Sequence, residues 1–180
     1  MPYIFYPPPW NASGAAGTAV FLANLAAYTR NTSWRNLAIE AAKSSANMSL
    51  RYDNTPLLAS SLHCHGLLGL ASVFYALIVC AERLGNESCL NTAYDLVMRV
   101  SIQDWEKVEN PDILTGSASS LLTLIRLYQS TPSEELLERI KAIGRGILSC
   151  QEQDGVDSGG FKVPLASQPL LGMAHGATGI

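Results

Sequence analysis

Two kinds of helical pattern alternate along the chain. From Gly66 to Ala81 no residue carries a charge, yet the run is shorter than the roughly 20 residues that cross a bilayer. It predicts a helix surrounded by other helices rather than a membrane span. Trp34 to Met48, Cys89 to Val100 and Leu136 to Cys150 instead set an apolar stripe against a charged face, the pattern of helices with one dry and one wet side. Each follows a turn rich in capping residues: Asn31-Thr-Ser33, Gly85-Asn86-Glu-Ser88 and Thr131-Pro-Ser133-Glu-Glu. Side-chain oxygens there can accept from the first free amides of the helix. Strand-like alternation is missing, and the Pro- and Gly-rich pieces at 6–11 and 153–169 fall between helices. The class is all-α.

The pattern repeats. Ser13-Gly14-Ala-Ala-Gly17, His65-Gly66-Leu-Leu-Gly69, Thr115-Gly116-Ser-Ala-Ser119 and His175-Gly176-Ala-Thr-Gly179 each open an apolar segment, at intervals of 50 to 60 residues. Glycines three apart share one face of a helix start and let another backbone approach. The predicted unit is an apolar inner helix followed by a polar-faced outer helix. Because the uncharged Gly66 to Ala81 run has no wet face, these hairpins are expected to close into an α/α toroid rather than an open solenoid. The inner helices then bring their N-termini to one mouth.

Composition narrows the function. The 48% hydrophobic and 15% charged residues exclude a mainly disordered chain, and a formal charge of −3 offers no basic field for nucleic acid or an anionic membrane. Met1 to Trp10 lacks the basic head of a signal peptide, which reads as cytoplasmic, with Cys64, Cys80, Cys89 and Cys150 as reduced thiols. The Asn-x-Ser triplets at Asn11, Asn31, Asn47 and Asn86 are accordingly read as caps and turns, not glycosylation sites.

Few polar groups precede the glycines. They are Asp112, four residues before Gly116; His175, directly before Gly176; and His63-Cys64-His65, directly before Gly66. An Asp and a His at one apolar-walled mouth can divide proton removal from proton delivery. The plainer alternative is that Asp112 caps a helix beginning near Leu114 and that His175 is a core residue. Trp105, Glu106 and Lys107 are read as a loop ahead of Asp112 within reach of a substrate.

These phrases carry a resemblance. The G-x-x-G helix starts, Asp112-Ile-Leu-Thr-Gly116-Ser-Ala and Gly172-Met-Ala-His175-Gly176-Ala-Thr-Gly179-Ile180 resemble the lanthionine synthetase C-like family. The order is most similar to the C-terminal cyclase domain of bifunctional class II lanthipeptide synthetases. The resemblance implies a toroid of seven inner and seven outer helices. It also implies a Zn²⁺ held by two Cys and one His, which activates a peptide thiol for addition to dehydroalanine or dehydrobutyrine. Asp112 and His175 match the family's active-site Asp and His. The implied partner is a dehydrated precursor peptide, with a dehydratase domain possible upstream.

The family's zinc ligands follow its Ala-His-Gly motif, and this chain ends within that motif's helix. Residues 1–180 are therefore expected to form one partial domain, about four of seven repeats, without the metal ligands and inactive alone. Cys64 and His65 are the fallback metal candidates, and Ser119 departs from the expected second glycine. Two other classes compete: a toroidal carbohydrate-active enzyme, which needs a second carboxylate at the mouth, and a non-catalytic helical-repeat binding module. An incomplete ring is also expected to expose Val20, Phe21, Leu25, Leu170 and Leu171.

Overall fold

The computed structural model describes residues 14–52, 66–151, 159–164 and 170–180. Seven α-helices account for most of them: α1 (Ala15–Thr29), α2 (Thr32–Tyr52), α3 (Leu70–Leu84), α4 (Glu87–Arg99), α5 (Ile102–Glu106), α6 (Ser117–Ser130) and α7 (Glu134–Ser149). A 3₁₀ turn follows at Ala177–Gly179. Among the described residues there is no β-sheet, only an isolated bridge between Gln151 and Phe161.

The packing follows the hydrophobic pattern. α3 touches α1, α2, α4 and α6, which accounts for its lack of a polar face. Val73, Phe74 and Ala76 through Cys80 are all buried, together with Ala19 and Ala23 of α1 and Leu124 and Leu127 of α6. Tyr75 is the half-buried member of the stretch, with the Arg126 guanidinium 5.2 Å above its ring. The apolar helices α1, α3 and α6 thus form a row of neighbours, while α2, α4 and α7 pack beside them. Small residues set the α1–α2 spacing, since Ala16, Ala19, Ala23, Ala38, Ala42 and Ala46 are buried in the common core.

The two helix types start differently. The polar-faced helices have side-chain caps: Asn31 Oδ1 accepts from the Ser33 amide at 2.8 Å, Asn86 Oδ1 from Cys89 at 2.9 Å, and Ser133 Oγ from Leu136 at 3.2 Å. Asn31 and Asn86 are therefore caps, as expected. Asn47 is not, because it lies inside α2, and Asn11 lies outside the described residues. The apolar helices begin at bare glycines, Gly14, Gly69 and Gly116, with no side-chain cap. In the second repeat the cap is the second glycine of the pair, and Gly66 instead opens a turn ahead of it through the Gly69 amide to Gly66 carbonyl bond at 2.9 Å.

Cross-helix polar ties close the free carbonyl ends. Arg35 of α2 donates to Leu84 O at the end of α3, and Arg139 of α7 donates to Met98 O near the end of α4, where the helix dipole favours a cation. Of residues 105–107, read as loop, Trp105 and Glu106 are helical and only Lys107 lies beyond the helix end, exposed. Trp105 belongs to the short helix α5, is fully buried, and meets Phe74 edge-on at 6.3 Å. Glu106 pairs with Arg145 at 2.8 Å. The aromatic surface stabilises more in the core than a mouth position could allow.

The expected exposed apolar surface is present in part. Phe21 (65% exposed) and Leu171 (80%) face outward, and so does Leu122 of α6 (56%). Val20 packs against the core instead.

Candidate active site

The segments before α6 and before the 3₁₀ turn repeat one backbone device. The amide after each glycine reaches back seven residues: Ser117 N donates to Asn110 O at 2.9 Å, and Ala177 N to Leu170 O at 2.8 Å. The chain passes so close to itself that a Cβ on Gly116 would collide with the Asn110 carbonyl, and one on Gly176 with that of Leu170. Glycine at both positions is thus a matter of space.

Neighbouring repeats are joined through backbone. Leu68 N donates to Leu114 O at 3.2 Å, and Leu114 N donates to Ala174 O at 3.3 Å. Gly66 (φ +96°) lies against the Thr115 backbone, where a Cβ would come within 2.5 Å of the Thr115 carbonyl carbon. The starts of the second, third and fourth repeats therefore sit side by side, and this carries Asp112 to His175.

His175 Nδ1 lies 2.7 Å from Asp112 Oδ2 across 63 residues of chain. The other contacts to that carboxylate come from its own loop. The Thr115 amide donates to Oδ1 at 2.6 Å, the Thr115 hydroxyl reaches Oδ2 at 3.0 Å, and Asn110 Nδ2 donates to Oδ2 at 2.9 Å. The Asn110 amide orientation follows from chemistry, because its oxygen accepts from the Asp112 backbone N–H at 3.2 Å and only an oxygen can accept there. Asn110 Nδ2 also donates to Thr115 Oγ1 at 2.8 Å, which leaves the Thr115 hydroxyl proton for the carboxylate.

Apart from His175, then, every partner of Asp112 is a donor. Burial pushes the Asp112 pKa up, but the bonds from His175, the Thr115 amide, Asn110 and the Thr115 hydroxyl outweigh it and hold the carboxyl below its ordinary value. The ionised carboxylate then fixes the proton of the neutral imidazole on Nδ1 and leaves Nε2 as the basic nitrogen. Exposure separates the two: the Asp112 side chain is sealed at 0%, while His175 keeps 29% of its side chain open.

Asp112 does not cap the helix that follows, whose N-cap is Gly116 with no side-chain bond. Its Oδ1 accepts from the amide of Thr115, ahead of the helix start at Ser117, and the same carboxylate holds His175. Asn110 and Thr115 were not among the sequence candidates. Their only sequence signal is the short Asn110-Pro-Asp-Ile-Leu-Thr115 spacing, which is common to many turns.

His63, Cys64 and His65 lie outside the described residues. Among the described residues no group of three or more His, Cys, Asp or Glu is placed to hold a metal ion. Burial, and secondarily Cys89, pushes Cys80 up to about 12, and burial also raises Cys89 and Cys150. Among the described residues, no helix is long and apolar enough to cross a membrane.

Among the described residues, then, glycine-started turns of two neighbouring repeats set a sealed Asp112 against a partly open His175. A family model described as lanthionine synthetase C-like protein matches residues 11–180, and the chain belongs to that family. No curated protein matches it, and neither does a solved structure.

Proposed function

We propose that the chain is the Asp- and His-bearing part of a lanthionine cyclase, which adds peptide cysteine thiols to dehydroalanine or dehydrobutyrine. The observation that carries this reading is the 2.7 Å His175–Asp112 contact, made by the two residues that match the family's active-site pair. His175 is the catalytic residue, since only it is open to a substrate; Asp112 is the positioning residue that orients the imidazole and stabilises its charged form. Neutral His175 takes the thiol proton at Nε2. The sulfur then forms its bond to Cβ, the π pair moves to Cα as an enolate, and the imidazolium returns the proton to Cα. The cycle consumes no net proton, so one histidine serves as base and then acid.

The family's zinc would hold the thiol as thiolate with a coordination position free. The described residues do not fit such a site, since no three His, Cys, Asp or Glu among them converge to hold a metal ion.

The test uses the natural polypeptide that contains these residues, zinc-loaded, with a dehydrated cysteine-containing peptide. Ring closure is read as loss of alkylatable thiol by mass spectrometry. His175→Ala and Asp112→Asn are each expected to lower turnover by about a hundred-fold or more with zinc content unchanged. Undiminished turnover in both variants would remove the pair from the reaction. Stoichiometric zinc in the 180-residue chain, lost in Cys64→Ala, would move the site to the early His-Cys-His cluster.

A further inference from the structure

We infer that Asn110 and Thr115 are positioning residues that clamp the Asp112 carboxylate in the one orientation that faces His175, a role that deepens the proposed function and rests on it. The argument is a count of hydrogens. Asn110 has two amide protons, one on Asp112 Oδ2 (2.9 Å) and one on Thr115 Oγ1 (2.8 Å). Thr115 has one hydroxyl proton, and because its oxygen already accepts from Asn110, that proton goes to the carboxylate. Its backbone amide takes Oδ1 at 2.6 Å. Every proton of the clamp is used, and no acceptor in it competes for the proton on His175 Nδ1.

The clamp is itself held by the repeat. The Asn110 carbonyl accepts from Ser117 at the start of α6, and Gly66 packs on the Thr115 backbone. The fourth repeat makes the same backbone turn with Gly172 at the Asp112 position and His175 at the Thr115 position. It therefore presents an imidazole but no carboxylate. The third repeat supplies the carboxylate with its clamp, and the pair is complete only across the two.

The experiment introduces Asn110→Leu, Thr115→Val and Thr115→Ser into the zinc-loaded natural polypeptide and compares each with that parent by ¹H–¹⁵N NMR of the His175 ring, at a pH where the imidazole is neutral. The parent is expected to show a single Nδ1–H tautomer with a far-downfield proton. Asn110→Leu and Thr115→Val should lose that downfield resonance and populate both tautomers, and Thr115→Ser should restore it. Turnover on the dehydrated peptide should fall about tenfold in the first two variants, the factor for one charge-assisted hydrogen bond, with KM unchanged and with recovery in Thr115→Ser. Thr115→Val keeps the backbone amide and the side-chain shape, so it carries the test even where Asn110→Leu misfolds. An unchanged His175 tautomer in folded Thr115→Val overturns the clamp. Altered tautomers in a protein whose Asp112→Asn variant cyclises normally would overturn the functional reading and leave the clamp standing.

Discussion

At the scale of the residue, the distinctive object is a carboxylate with no route to water. Asp112 is fully buried, and an ion there costs free energy unless its oxygens are satisfied. Here both are. Because its folded pKa is depressed, the stability it contributes is complete above the ordinary aspartate range, about pH 4, and is lost as pH falls through the lower folded value. An Asp112→Asn variant does not titrate, so its stability deficit is expected to be largest at neutral pH and to narrow below about pH 4. Urea unfolding at pH 7, 4 and 2.5 checks this; a gap that widens in acid would contradict the ionised assignment.

At the scale of the element, glycines that look alike in sequence are under different constraints. Gly144 and Gly146 lie two residues apart, on nearly opposite faces of α7. A Cβ at Gly144 would meet nothing within 4 Å, whereas one at Gly146 would collide with the Glu106 carbonyl of α5. Gly144→Ala is expected to stabilise by about 0.5–1 kcal/mol, because alanine loses less backbone entropy in a helix. Gly146→Ala is expected to cost about 1–3 kcal/mol as α5 is pushed off α7. Denaturant midpoints of opposite sign would establish the contact between the two helices. On α3, Leu77→Ala should cost about 2–5 kcal/mol, since truncating a fully buried leucine leaves a cavity in the core.

At the scale of the whole molecule, the row of apolar helices has outward surface at both ends. Phe21 and Tyr28 on α1, and Leu122 and Ile125 on α6, are exposed, and large apolar side chains left in water promote association. The 180-residue chain is expected to show light scattering that rises with concentration, and Phe21→Glu combined with Leu122→Glu to reduce it. A concentration-independent thermal transition of a monomer would show that these faces are tolerated in water.

Much of this arrangement was legible in the chain. The central helix α3 and the one-sided helices α2, α4 and α7 could be read because burial on all sides and burial on one side leave different periodicities, which survive in a one-dimensional record. The caps at Asn31, Asn86 and Ser133 could be read because they act over three residues. Asp112 and His175 could be singled out because they are among the few polar groups that precede the repeated glycines, Asp112 by four positions and His175 by one. Other features depended on distance in space. Trp105 read as loop because its partner Phe74 lies 31 positions away, and α5 is too short to show a period. Asn110 and Thr115 are ordinary turn residues until the carboxylate they hold is seen to face a histidine from the next repeat. Periodicity and capping are local and so reside in the sequence. The meeting of Asp112 with His175, and the sealing of one while the other stays open, arise only when three glycine-started turns hydrogen-bond edge to edge.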